Sequence, residues 1–172
     1  MFKIKVFKDM EQKKLNCQCT GYPLFVRYTN DDDFSYLNLV ANQIAQKYPA
    51  DESHQLVLTF TGSSGAIACG YVLSILYNTY EYNAIRLCNI RKSEDVTHHS
   101  SDSIFFKGSD KIIIIDDFIA TGNTLEYLIT KISEVSPDKK INDVFSSADL
   151  RFVPDERLSI FKEKIETIWI GD

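Results

Sequence analysis

The sequence lacks an excess of positive charge and a long hydrophobic run. It has 19 Lys and Arg residues against 24 Asp and Glu residues, and its formal net charge is −5. Without a basic excess, no general affinity for nucleic acid is expected. The longest nearly apolar stretch, 66–77, is interrupted by Gly70 and Ser74 and is too short to span a bilayer. We therefore expect a protein that binds neither nucleic acid nor membrane.

The four cysteines lack the spacing of a metal site. Cys17 and Cys19 are two positions apart, while Cys69 and Cys88 lie in separate apolar segments. A structural zinc site needs four ligands at recognisable spacing. The first residues alternate apolar and charged side chains and contain no apolar block of the signal-peptide type. Together these features predict a cytoplasmic protein with reduced, buried cysteines.

Patterns typical of buried strands alternate with helical patterns along most of the chain. The strand patterns cover 55–60, 84–90, 111–116, 141–147 and 166–170, and the helical patterns cover 31–48, 66–80, 125–136 and 155–164. Strands that are apolar on both faces and separated by helices indicate a parallel sheet covered on both sides. We predict a single α/β domain over 1–172, with a core of about 35–146. Segments 1–30, expected to begin as an antiparallel ribbon, and 147–172 would form a small hood.

The most informative stretch is "IIIIDDFIATGNT", residues 112–124. Successive strand residues point to opposite sides, so we expect the strand to end at Asp116 and turn at least one carboxylate toward a ligand. A carboxylate offers two acceptor oxygens, which suit neighbouring sugar hydroxyls. The small turn after it leads into a helix N-terminus, whose free N–H groups favour a phosphate. At Gly122 the backbone can come close to that anion. The stretch therefore predicts a site for a ribose 5-phosphate group.

This stretch resembles the signature of the type I phosphoribosyltransferases. In that family the two acids bind the ribose hydroxyls of phosphoribosyl pyrophosphate (PRPP), and the turn binds its 5-phosphate. The order of strands and helices extends the resemblance over roughly 35–146. The resemblance assigns the ribose to Asp116 and Asp117, and the 5-phosphate to Ala120, Thr121, Gly122, Asn123 and Thr124.

Two further segments are similar to parts of the same family. "TGSSG", at 61–65, resembles the loop that binds pyrophosphate, and "IRK", at 90–92, resembles an Arg–Lys pair at the end of the second core strand. Basic side chains there would neutralise pyrophosphate charge. The resemblance thus implies a pyrophosphate site formed by Gly62, Ser63, Ser64, Gly65, Arg91 and Lys92.

The polar segment that follows, 91–110, occupies the position of the family's mobile lid. A connection this long inside a compact domain is usually functional or disordered. The lid generally carries a second basic residue shortly after the Arg–Lys pair, whereas this chain has Glu94 and Asp95 there. That departure favours an alternative, a catalytically idle regulatory protein that binds PRPP or a nucleotide on the same fold.

The activity implied by the resemblance is transfer of the 5-phosphoribosyl group from PRPP to a nucleobase, with release of pyrophosphate. Ala120 stands where adenine and xanthine members usually have alanine, so a purine acceptor is expected. Magnesium would bind through PRPP oxygens rather than protein ligands, and a homodimer is expected by analogy. No catalytic residue is identified. A P-loop hydrolase is excluded, since the Gly-Lys-Ser/Thr ending is missing. A signalling receiver domain would carry its paired acids near the N-terminus.

Gly122 is expected to lie in a surface turn, where a larger residue would block the anion at little cost in stability.

Overall fold

The fold is a six-stranded parallel sheet with helices on both faces, as predicted. A computed structural model describes residues 1–6, 31–50, 54–90, 106–148 and 150–171. The strands are β1 (Lys3–Val6), β2 (Leu56–Phe60), β3 (Ile85–Asn89), β4 (Lys111–Ile119), β5 (Ile141–Ala148) and β6 (Ile165–Gly171). The helices are α1 (Asp31–Lys47), α2 (Gly62–Tyr80), α3 (Asn123–Val135) and α4 (Asp155–Lys164). The strand order is β1–β6–β5–β4–β2–β3, and every neighbouring pair is parallel.

The central strand β4 contributes to both hydrophobic cores. Ile113 and Ile115 pack into the core between the sheet and helices α1 and α2. Ile112 and Ile114 pack into the opposite core, which α3 and α4 cover. All four side chains are at most 1% exposed. The run of isoleucines is therefore apolar throughout because each face of the strand is buried, as in other parallel sheets.

Helix α2 begins earlier than the sequence pattern predicted. The helical pattern was expected to begin at residue 66, after the loop-like segment 61–65, whereas the helix starts at Gly62. The reason is packing. A Cβ atom at Gly65 would lie 2.9 Å from the Cβ atom of Phe60, so only glycine lets the first turn of the helix sit this close to β2. The helix ends at Tyr80, and the next residue, Glu81, adopts a left-handed conformation and donates its N–H to the carbonyl of Leu76.

None of the helices in the described ranges is long and apolar enough to cross a membrane.

The first strand does not form the predicted antiparallel ribbon. β1 pairs in parallel with β6, from Lys3 beside Thr167 to Val6 beside Ile170. β6 is mostly buried and needs a hydrogen-bonding partner on each side, which β5 and β1 supply. The exposed lysines of β1 suit an edge strand. The remainder of the predicted ribbon, 7–30, lies outside the described residues.

A buried carboxylate joins α1, β5 and β6 near the start of β5. Asp143 is 0% exposed. Its Oδ1 accepts hydrogen bonds from Lys47 Nζ at 2.8 Å and Trp169 Nε1 at 2.7 Å. Its Oδ2 accepts from Lys47 Nζ at 2.8 Å and from the Tyr48 hydroxyl at 2.5 Å. Both oxygens are saturated by donors, one of them cationic, which offsets the cost of burying the charge.

This network predicts an alkaline loss of stability that depends on Tyr48. Burial and then the charge of Asp143 hold the pKa of the Tyr48 hydroxyl above its usual value. The unfolded chain therefore releases this proton above about pH 10 while the folded chain keeps it, so the stabilisation is complete below about pH 10 and declines above it. Tyr48→Phe should cost about 1.5–3 kcal/mol at pH 7. The difference from wild type should shrink by about 1.4 kcal/mol at pH 11.

Urea unfolding of both proteins from pH 7 to pH 11 measures this difference. A gap that stays constant above pH 10 would show that the Tyr48 proton is not held by the folded state.

Candidate functional site

The two adjacent acids lie in a bulge of β4 rather than at its end. The strand was expected to stop at Asp116, but it continues to Ile119. Its pairing with β5 shifts register between Ile115 and Phe118, where three steps along β4 match two steps along β5. The extra residue falls at Asp116–Asp117. Bulges redirect side chains. This bulge brings Asp116 to the cleft, which is the effect that we expected from the end of the strand.

Asp116 is nearly buried at the wall of a small cleft. Asp116 is 7% exposed, and the cleft has a volume of about 90 Å³. Asp116 is also close enough to α2 to act on Cys69. Burial raises the pKa of the Cys69 thiol, and the charge of Asp116 raises it further. Cys69 is therefore a neutral thiol rather than a nucleophile. The sequence predicted the site but did not indicate that Cys69 lies near it. The backbone of Asp117 lies beside Asp116 in β4.

The predicted phosphate turn lines the same cleft. The cleft is formed by Asp116, Phe118, Ile119, Ala120, Thr121, Gly122, Asn123, Thr124 and Leu125. The structure thus brings all five predicted phosphate residues together with one predicted ribose residue. Gly122 is the N-cap of α3 with φ 78°, and no side chain caps the helix. N–H groups of a first helical turn have no partner within the helix, and the helix dipole favours a negative charge at this end.

Gly122 is covered from behind by α4, contrary to the expectation of a surface turn. The glycine is buried. A Cβ atom on it would lie 2.9 Å from Phe161 Cζ and 3.0 Å from Arg157 Cδ. Gly122→Val would therefore push α4 away and cost stability, so it does not isolate phosphate binding. Sequence reasoning missed this contact because α4 begins more than 30 residues later and carries no motif of its own.

The N-terminus of α2 lies at the same edge of the sheet. β2 and β4 are parallel neighbours, with Thr59 beside Ile114. The helices that follow these strands therefore start beyond the same end of the sheet, although they cover opposite faces. Gly62 and Ser63 are exposed, whereas Ser64 and Gly65 are buried. The N–H groups of Gly62, Ser63 and Ser64 belong to the first turn, where helical N–H groups have no partner within the helix. Arg91 and Lys92, with the predicted lid as far as residue 105, lie outside the described residues.

Within the parts of the chain that the structure describes, no three or more His, Cys, Asp or Glu side chains form a group that could hold a metal ion. Among the described side chains, the lining of the cleft includes the carboxylate of Asp116 and two threonines, Thr121 and Thr124. Oxygen donors of this kind suit a hard cation such as Mg²⁺, which commonly binds one or two carboxylates together with substrate phosphates. One described carboxylate is too few to hold a magnesium ion alone, so such an ion would take most of its ligands from the oxygens of a bound phosphate compound.

Comparison with protein families yields no matching family model, and no curated protein sequence matches the chain significantly.

Solved structures do match it. The adenine phosphoribosyltransferase of Trypanosoma brucei, in complex with AMP, pyrophosphate and ribose-5-phosphate, aligns with a TM-score of 0.54 at 13% identity over 79% of this chain. The chain spans 64% of the length of that enzyme.

Two further structures are similar to smaller degrees. The xanthine-guanine-hypoxanthine phosphoribosyltransferase of Helicobacter pylori aligns at a TM-score of 0.49 and 16% identity, over 84% of each chain. The hypoxanthine phosphoribosyltransferase of Trypanosoma cruzi with IMP aligns at 0.41 and 19% identity, over 67% of this chain and 57% of that one. The parallel sheet and the match to the trypanosomal adenine enzyme together show that the chain has the α/β fold of the type I phosphoribosyltransferases.

Proposed function

We propose that the protein is a magnesium-dependent phosphoribosyltransferase that transfers the 5-phosphoribosyl group of PRPP to a nucleobase. One observation carries the proposal. A nearly buried carboxylate, Asp116, and an uncapped helix N-terminus that begins at a left-handed glycine, Gly122, share one cleft. A carboxylate beside an anion cradle matches the two chemical features of a ribose 5-phosphate group.

The parts of PRPP would divide among three elements at this edge of the sheet. Asp116 and Asp117 would accept hydrogen bonds from the ribose hydroxyls, and the turn Ala120–Thr124 would hold the 5-phosphate. The pyrophosphate would lie toward the first turn of α2, where Gly62 and Ser63 are exposed. A Cβ atom at Gly62 would meet nothing within 4 Å, so the backbone there is open to an incoming anion. Arg91 and Lys92 belong to the proposal through the sequence resemblance alone.

The proposed reaction is a displacement at C1 of the ribose. The C1–O bond to pyrophosphate breaks, and a bond forms between C1 and a nitrogen of the base. The proton on that nitrogen passes to the departing pyrophosphate or to water. A magnesium ion, when bound with the substrate, would stabilise the charge of the leaving pyrophosphate. The protein would contribute mainly position and electrostatic stabilisation, through the N–H groups at the two helix starts and the carboxylate of Asp116.

A purine is the acceptor that we propose. Phe118 is partly buried and lines the cleft, so its ring could lie against the flat face of a base. Ala120 is exposed at the same cleft and carries no side-chain acid or base. Recognition of the base would then rest on other side chains and on the backbone. The adenine and xanthine members of the family usually have alanine at this position as well.

The experiment that tests the activity mixes PRPP and Mg²⁺ with a panel of purine and pyrimidine bases and detects the nucleotide by mass spectrometry. We expect a purine nucleotide and one pyrophosphate for each turnover. PRPP binding without any product would favour the regulatory alternative. Absence of both binding and product would contradict both functions.

The ribose assignment predicts that Asp116→Asn and Asp117→Asn weaken PRPP binding. Each isosteric change removes a charged acceptor of hydroxyl hydrogen bonds and should cost about 1.5–3 kcal/mol of binding free energy. Calorimetric titration with PRPP and Mg²⁺ measures this cost. Asp138→Asn, in the exposed turn after α3, is the matched control and should bind as wild type does. PRPP affinity unaltered in both test variants would rule out the ribose role of these acids.

The phosphate assignment predicts that inorganic sulfate stabilises the protein through Thr124. Sulfate should raise the melting temperature as its concentration rises, and at ten times its dissociation constant it should add about 1.4 kcal/mol. Thr124→Val removes a hydroxyl from the cleft and should weaken sulfate binding roughly tenfold, the loss of one hydrogen bond to a charged group.

Thr130→Val is the control for this change. Thr130 lies on the exposed side of the same helix, and its hydroxyl bonds the carbonyl of Glu126. Its sulfate response should equal that of wild type. If Thr124→Val and Thr130→Val respond alike, sulfate is bound elsewhere or without the Thr124 hydroxyl.

A further inference from the structure

Arg157 of α4 reaches the turn that we propose as the phosphate cradle. Its Nη1 donates a hydrogen bond to the carbonyl oxygen of Thr121 at 2.6 Å. Its Nε pairs with Glu126 Oε2 at 2.5 Å. The side chain is 23% exposed, so the guanidinium is held between the turn and the first turn of α3. None of the residues that line the cleft comes from α4 within the described chain, so Arg157 approaches the turn from outside the cleft.

The bond to Thr121 has a geometric consequence for the next residue. The carbonyl of Thr121 and the N–H of Gly122 belong to one planar peptide, and in a trans peptide they point in opposite directions. The described residues contain no cis peptide bond. Because Arg157 binds this carbonyl from the α4 side, the N–H of Gly122 points away from Arg157, and Gly122 itself lines the cleft.

The next peptide is oriented by the helix itself. The carbonyl of Gly122 accepts the N–H of Glu126 at 2.9 Å, as the first bond of α3. The N–H of Asn123, on the same peptide, consequently points out of the helix end. The N–H groups of Gly122 and Asn123 are thus oriented by different partners. Only the N–H of Gly122 depends on a side chain from another element.

We propose that Arg157 is a positioning residue of the phosphate site, acting through the Thr121–Gly122 peptide. The inference rests on the proposed function, because it assumes that the turn holds an anion. A second effect acts in the same direction. Glu126 places a negative charge in the first turn of α3, where a bound phosphate would be repelled, and pairing with Arg157 neutralises that charge.

Arg157 could instead serve only to fasten α4 to α3 through Glu126. The two roles differ in what they predict. Fastening depends on the ion pair with Glu126, whereas positioning depends on the bond to the Thr121 carbonyl. Glu126→Gln weakens the ion pair and keeps the bond to Thr121, whereas Arg157→Met removes both contacts, so comparing the two variants separates the roles.

The experiment compares Arg157→Met, Glu126→Gln and Lys162→Met with wild type. Methionine keeps the aliphatic packing of Arg157 beside Gly122 but removes every donor. Glutamine at 126 removes the charge of the ion pair. Lys162 is exposed on the same helix, so its methionine variant reproduces the change of net charge alone. The readouts are the dissociation constant of inorganic sulfate and the shift of the Gly122 amide signal on adding sulfate. Glycine-selective labelling leaves seven signals to assign.

Positioning predicts a specific pattern. Arg157→Met should weaken sulfate binding roughly tenfold, the loss of one well-aimed bond to an anion, and should reduce the shift of the Gly122 amide. Glu126→Gln should lower the melting temperature yet bind sulfate as wild type does or more tightly, since a repelling charge is gone. Lys162→Met should match wild type in both readouts. Arg157→Lys keeps one donor and should recover part of the affinity, and it replaces the methionine variant if that one does not fold.

Two results would overturn the inference. Wild-type sulfate affinity and a wild-type Gly122 shift in Arg157→Met would leave the arginine a purely fastening role. An equal loss in Glu126→Gln would assign the effect to the ion pair instead of the Thr121 carbonyl. If sulfate fails to shift Gly122 even in the wild type, the proposed phosphate cradle is itself wrong, and that outcome is distinct from the other two.

Discussion

The structure depends on the burial of β4 on both of its faces. This strand lies between β2 and β5, and its isoleucines supply side chains to both cores. A strand in that position carries apolar side chains wherever both faces are covered, because a charge inside either core would be costly. The acids at Asp116–Asp117 lie where this restriction is relieved. Their place at the edge of the sheet, beside the starts of α2 and α3, follows from the same topology.

The bulge resolves a conflict between continuous pairing and the direction of side chains. Ile113 and Ile115 pack toward α1 and α2, but Ile119, also an odd-numbered residue, packs toward α3 and α4. The extra residue at Asp116–Asp117 reverses the alternation between these points. It lets β4 remain hydrogen-bonded to β5 while the backbone at the acids is displaced from the regular ladder. A regular strand would have continued the alternation and turned Ile119 toward α1 and α2.

Two buried carboxylates show how burial alone does not identify a functional acid. Asp143 is completely buried, and its two oxygens accept four hydrogen bonds from Lys47, Tyr48 and Trp169. Those partners join three elements of the fold, so the acid is structural. Asp116 is almost as buried, yet it borders an open cleft and an uncapped helix. The distinction rests on what surrounds each acid, which a sequence pattern such as "INDVF" cannot convey.

The sequence by itself determined the alternation of strands and helices, the parallel sheet, and the grouping of residues 116–124, because each follows from local periodicity and chain order. It did not determine the start of α2, which depends on the close approach of Gly65 to Phe60. The sequence also did not determine the parallel pairing of β1, because its partner β6 lies at the other end of the described chain. The enclosure of Gly122 by α4 depends on contacts across more than 30 residues. Local preferences specify the elements, and only tertiary packing decides which distant side chain meets each turn.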